Sequence, residues 1–201
     1  MEIKIKGQII SISKELTVYD DLAISFSKIL QKQNINHVFV SGYIAILFGR
    51  SRISEDVDVL VEKIQYDGFL PLWKALNKKF YCHNAGDAGI AYRDYLERGI
   101  AIRFSEKGVV IPNMEFKWVS TEQHARALAD RFTAVVSGKP IPISPIEMQI
   151  AYKLYLGSEK DVEDARYLFE LFRERLDMKR LMKEIAYMKV PTARAKENLG
   201  W

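Results

Sequence analysis

One cysteine, Cys82, stands in 201 residues. A lone thiol closes no disulfide within its own chain, and residues 1–7 lack the charged-then-apolar layout of a secretion signal, so a reducing, cytoplasmic setting is expected. Between Tyr81 and His83 the expected fate of Cys82 is that of a small buried hydrophobe. Histidine is scarce as well: His37, His83 and His124 are too scattered for a zinc site, which needs grouped ligands. No apolar run reaches the roughly 18 residues of a membrane span, because the longest stretches, 38–48 and 141–156, are broken by polar residues, and no membrane partner is expected. Gly86, Gly89 and Gly108 build no GxxxxG loop followed by lysine, which excludes a P-loop nucleotide site. Internal repeats and low-complexity tracts are missing too.

What is present is ordinary material for a folded domain: 48% hydrophobic and 28% charged residues, enough for a proper core. Thirty basic against 26 acidic residues leave a net charge of +4, which mildly favours an anionic partner without forming a dense basic stripe.

Ile3, Ile5, Ile10 and Ile12 alternate around Gly7-Gln8 and predict an opening hairpin. Residues 18–33 carry apolar positions at helical spacing up to the Asn34-Ile35-Asn36 breaker. A short strand over residues 37–40, a Ser41-Gly42 turn and a helix over residues 43–48 follow. Val57, Val59 and Val61 then alternate with Asp56, Asp58 and Leu60, the period of a strand whose two faces differ. Helices are predicted over residues 65–80 and 87–98, then strands from Ile100 to Phe104 and from Val109 to Val119, with Pro112 marking an edge or bulge. From Ser120 onward the pattern reads as helix throughout. Ser120 with Gln123 reads as a capping box for a helix through Ala125, Leu128, Phe132 and Val135, residues 138–143 as a linker, and Ser144-Pro145-Glu147 as a further helix start. The last predicted helices are one opened by Ser158 with Asp161 and a short one over residues 178–188.

The chemistry concentrates in residues 37–62. Strand alternation puts the Asp56 and Asp58 carboxylates on one face, about 7 Å apart along the backbone. Magnesium favours one or two carboxylates together with phosphate oxygens, so both acids can serve one ion. Two like charges on a strand also demand a positive partner. The Ser41-Gly42 turn lets phosphate approach backbone N–H groups. Arg50 and Arg52 are candidates to neutralise a triphosphate, the competing reading being a solvated basic loop.

This stretch resembles the DNA polymerase beta-like nucleotidyltransferase superfamily, whose signature is a hydrophobic residue, glycine, then glycine or serine, a spacer, and Asp-hydrophobic-Asp/Glu-hydrophobic. Here Val40-Ser41-Gly42 precede thirteen residues and Asp56-Val57-Asp58-Val59. Gly49, Arg50, Arg52, Ser54, Asp56 and Asp58 are similar to the run found in the small prokaryotic branch that includes nucleotidyltransferase-like toxins of toxin–antitoxin pairs. Ile143-Ser144-Pro145, Ala151-Tyr152-Lys153-Leu154 and Lys160-Asp161-Val162-Glu163-Asp164 resemble that branch's carboxy-terminal region. The resemblance implies Lys153 and Asp161 near a nucleotide pocket. Asp164 is read instead as an acid suiting the helix dipole. The turn departs from the family order, with serine before glycine. A third carboxylate is implied on a neighbouring strand; Arg103 stands where an acid is expected, and Glu115 is the candidate, against the alternative of an exposed strand glutamate. Tyr152, Tyr155, Tyr167 and Phe169 are expected in the core.

The expected fold is α+β, a mixed sheet flanked by helices in residues 1–119 and a helical region in residues 120–201. The expected activity is transfer of a nucleoside monophosphate from an NTP to a hydroxyl of tRNA, protein or a small molecule. Two Mg2+ ions would be held by Asp56, Asp58 and Glu115, with Ser41, Gly42, Arg50, Arg52, Lys153 and Asp161 binding nucleotide. The alternatives are a catalytically impaired binding module of the same fold, or a component that docks a cognate toxin–antitoxin partner.

Overall fold

The computed structural model describes residues 2–201. A hairpin of β1 (Glu2–Lys6) and β2 (Ile9–Ser13) opens the chain, followed by α1 (Val18–Lys32), whose Thr17 N-cap forms a capping box with Asp20. Next come β3 (His37–Val40), the six-residue α2 (Gly42–Leu47), β4 (Asp56–Val61), α3 (Tyr66–Lys79) and β5 (Phe80–Cys82). Helix α4 (Ala88–Ile90), capped by Asp87, runs on through a π turn to Gly99, whose φ of 74° ends it in the left-handed region. Then follow β6 (Ile102–Glu106), β7 (Asn113–Trp118), α5 (Glu122–Ala129), β8 (Phe132–Val136) and β9 (Lys139–Ile143). Helices α6 (Ile146–Leu156), α7 (Glu159–Phe172), α8 (Met178–Tyr187) and α9 (Thr192–Leu199) complete the chain. Among the described residues the strands form one mixed sheet in the order β1-β2-β8-β9-β3-β4-β7-β6-β5.

The helical expectation from Ser120 onward fails at residues 132–143. Phe132 and Val135 do continue a helical spacing, but the Phe-Thr-Ala-Val-Val run is rich in β-branched side chains, and Ser137-Gly138 supplies a two-residue turn with φ of 46° and 80°. Two positive φ values are what a tight hairpin turn of matching twist demands. The hairpin inserts in mid-sheet, β8 parallel to β2 and β9 parallel to β3. Pro140 and Pro142 offer no N–H to a neighbour, and β9 meets β3 only where Ile143 pairs with Phe39. Helix caps shift as well. Thr121, rather than Ser120, accepts from the His124 N–H, and Ser144 leaves the α6 start to Pro145 and hydrogen-bonds Gln149 instead. Strand β5 and helix α9 were not foreseen.

The two faces of the sheet have different cover. On one, Val57, Val59 and Val61 are fully buried, and Phe26 of α1 packs against Phe80, Phe104 and Phe116 with ring centroids 5.3, 5.7 and 6.3 Å away. Cys82 is buried, as expected of a small unpaired hydrophobe. On the other face a small cluster of Val38, Leu60, Ala127 and Met148 attaches α5 and α6 to β3 and β4. That cluster is the floor of the site described below.

His37 links β3 to α1: its Nε2 accepts from Ser27 Oγ at 2.8 Å and its Nδ1–H donates to the Ile35 carbonyl at 3.0 Å. Burial lowers its pKa to about 4 against the Ile35 bond, which alone would raise it. A base whose folded-state pKa lies below its unfolded value stabilises the fold fully above pH 6.5 and loses that contribution as pH falls toward 4. Stability measured by chemical denaturation is expected to drop by about 3 kcal/mol across that window, and His37→Asn is expected to flatten this part of the profile.

Candidate functional site

Strands β4 and β7 run parallel with Asp56 opposite Asn113, Asp58 opposite Glu115 and Leu60 opposite Lys117. The two-residue period therefore brings Asp56, Asp58, Glu115 and Lys117 to one face of the sheet. On the other side of β4, Val40 pairs with Asp58 and leads directly into Ser41-Gly42. Lys117 Nζ donates to Asp58 Oδ1 at 3.1 Å and sits 2.5 Å from Glu115 Oε1, while Arg103 Nη2 holds Glu115 Oε2 at 3.0 Å. Lys117 is the positive partner that the paired aspartates required.

The charges respond accordingly. Burial raises the pKa of Asp58, Lys117 pulls it back, and the carboxylates of Glu115 and Asp56 push it further up. Glu115 is also partly desolvated, yet Lys117 and Arg103 outweigh that and hold its carboxyl below the usual range. Lys117 is raised because Asp58 and Glu115 together overcome its own desolvation.

Asp58 and Lys117 line a pocket of about 160 Å³ together with Ser41, His124, Gln149 and Tyr152. Leu60, Ala127 and Met148 provide its apolar surface. His124 is held below its ordinary pKa by burial and by Lys117. Ser41 adopts φ 62° and ψ −137°, a backbone region suited to glycine, and its hydroxyl makes no cap bond to α2. Its N–H donates to Gln149 Oε1 at 3.0 Å, so this amide is already satisfied. Gly42 serves a different need: a Cβ there would lie 3.1 Å from the Arg52 guanidinium. The serine–glycine order thus puts the strained backbone on serine and the close approach on glycine.

Arg50, Arg52, Lys153 and Asp161 do not line the pocket but gather around the fully buried Asp164 of α7. Arg50 and Arg52 both pair with Asp164, Arg50 also with Glu163, and Lys153 reaches Asp161 at 2.7 Å and Asp164 at 3.0 Å. Asp164 is therefore the anion of a buried network and not a helix-dipole acid. The two arginine side chains are paired and largely covered, although Ile53 of the same loop is 85% exposed. The tyrosines divide. Phe169 is buried and Tyr167 donates to the Phe48 carbonyl, but Tyr155 is 59% exposed, and Tyr152 stacks on it at 6.5 Å beside the pocket. The core expectation fails for Tyr155.

Among the described residues no three His, Cys, Asp or Glu side chains come together as a metal-holding group. The donors present suit one hard cation: Asp56 and Asp58 offer carboxylate oxygens on one face, and magnesium completes its shell with water and phosphate. Glu115 stands beside Asp58, but both its oxygens are in ion pairs. Lys117, Gln149 and His124 were missed by sequence reasoning. The same period-two argument applied to Asn113–Trp118 would have placed Lys117 with Glu115; nothing local marks Gln149 or His124.

This mixed sheet with helices on both faces is a fold shared with nucleotidyltransferase-like proteins of known structure. An antigenic nucleotidyltransferase-like protein from Paracoccidioides brasiliensis shares the fold with a TM-score of 0.57 at 16% identity, covering 89% of this chain and 92% of that one. The antibiotic-resistance factor ANT(2'')-Ia does so with a TM-score of 0.54 at 12% identity, over 88% of this chain and 94% of its own. The likeness is one of fold. No family model and no curated protein matches the sequence.

Two stability measurements test this geometry. Ser41→Gly removes a strained Cβ at no cost in hydrogen bonds and is expected to stabilise by about 1 kcal/mol, a rise in melting temperature of about 2–4 °C. Asp164→Asn leaves Arg50, Arg52 and Lys153 undercompensated and is expected to cost about 3–5 kcal/mol in a denaturant titration.

Proposed function

We propose that this chain is a magnesium-dependent nucleotidyltransferase that moves a nucleoside monophosphate from an NTP to an acceptor hydroxyl. The observation that carries the reading is the Asp56–Asp58 pair, projecting from β4 beside the Ser41-Gly42 turn, with Asp58 in the pocket wall. The shared fold with nucleotidyltransferase-like structures supports it.

Asp56 and Asp58 would hold the magnesium ion, which when bound supplies Lewis-acid charge at the phosphorus under attack. Asp58 Oδ2 accepts no hydrogen bond among the described residues and is free for that role. The pocket, about 160 Å³, is below the roughly 300–1,000 Å³ of a full ligand site, so part of the nucleotide sits within it and the rest lies across the open face by Asp56. Apolar Leu60 and Met148 and the Tyr152 ring offer a surface for a planar group, and Gln149 and His124 offer polar contacts. The Arg52 guanidinium packs on Gly42 and brings positive charge to the turn, where it would favour a phosphate. Arg50, Lys153 and Asp161 act on this site through the Asp164 network that fixes Arg52. The acceptor hydroxyl belongs to an RNA, a protein or a small molecule, and the net charge of +4 favours an anionic one.

A second reading, a nucleotide-binding module without transfer, is favoured by one observation: an ammonium already lies among the acids. Radiolabelled NTPs incubated with Mg2+ and acceptor candidates separate the two. Label transfer with pyrophosphate release, reduced at least about a thousandfold in a folded Asp58→Asn variant, supports the enzyme. A nucleotide-dependent thermal shift without pyrophosphate release supports the module instead.

A further inference from the structure

The acidic face already contains a cation. A single ammonium, that of Lys117, bridges Asp58 Oδ1 at 3.1 Å and Glu115 Oε1 at 2.5 Å, the two carboxylates that β4 and β7 set side by side. Glu115 is engaged twice, since Arg103 takes its second oxygen at 3.0 Å. Releasing it to a metal would break ion pairs to both cations. Three carboxylates, Asp56, Asp58 and Glu115, thus face two cations, with one negative charge in excess. That excess suits one divalent ion arriving with an anionic ligand. A second divalent ion would have to displace or crowd the ammonium at contact distance, where like charges repel most strongly.

We infer that Lys117 is the resident cation of this face: it stands in for a second metal ion, takes Glu115 as its own counter-ion, and leaves Asp56 and Asp58 to bind a single divalent ion. The inference rests on the proposed magnesium role of that pair and adds to it a stoichiometry and a built-in competitor. Glu115 becomes a positioning residue that holds Lys117, and Lys117 sets how tightly the aspartates attract metal. A merely structural lysine would leave metal affinity untouched.

The test is Mn2+ binding to the full chain without nucleotide, with free Mn2+ followed by electron paramagnetic resonance. The wild-type protein is expected to bind one ion. Lys117→Met is expected to tighten that site by about tenfold or to open a second one, because the competing charge is gone. Lys117→Arg, which keeps the charge, is expected to behave as wild type, and Glu115→Gln to retain the single ion. Thermal unfolding in metal-free buffer establishes which variants are folded; if Lys117→Met is not, the arginine and glutamine variants carry the test. Two ions in the wild type, one of them lost in Glu115→Gln, would overturn the inference while leaving the nucleotidyltransferase reading intact. Unchanged affinity in a folded Lys117→Met would also overturn it. No Mn2+ binding in any of the proteins would remove the magnesium reading together with this one.

Discussion

Carboxylates can share a half-buried sheet face only if something positive lies among them, and here that something is Lys117. Its ion pair to Asp58 joins β7 to the neighbouring parallel strand β4 beside the point where β3 turns into α2, while Glu115, two residues away on β7 itself, holds the same ammonium. The crowding is visible in Asp58, whose pKa is raised by burial even with an ammonium in contact. The divalent ion proposed for this face would bring more charge than the lysine already there, with phosphate oxygens to complete its shell.

The second group of charges obeys the same rule with a different result. Asp164 is fully buried and survives there because Arg50, Arg52 and Lys153 surround it. Those cations come from the loop before β4 and from α6, so the network ties the loop that delivers Asp56 to α7 and to α6, whose Met148, Gln149 and Tyr152 line the pocket. Arg52 is in turn pressed on Gly42. Residues that resemble a phosphate-binding set are thus paired with Asp164, and through Arg52 the network also touches the turn.

Much of this was legible in the sequence. Alternating valines against Asp56 and Asp58 identify β4 and its two faces, because a pleated strand has an unambiguous period. The hairpin of residues 132–143 was not, since Ala125, Leu128, Phe132 and Val135 keep helical spacing across a real boundary. The turn at Ser137-Gly138 held the better signal. Tyr155 was assigned to the core on the general tendency of large aromatics to be buried, and its place on α6 beside an open groove defeats that tendency.

The sequence by itself determined the strand that carries the paired acids, the turn beside it and the need for a positive partner, because strand period and like-charge repulsion act over a few residues. Which cation answers that need, and which acid neutralises the arginines, only the tertiary structure decided. Lys117 lies 59 residues from Asp58, and Asp164 lies 112 from Arg52. Charge pairing over such separations depends on strand register and helix packing, and no local pattern in the chain encodes either.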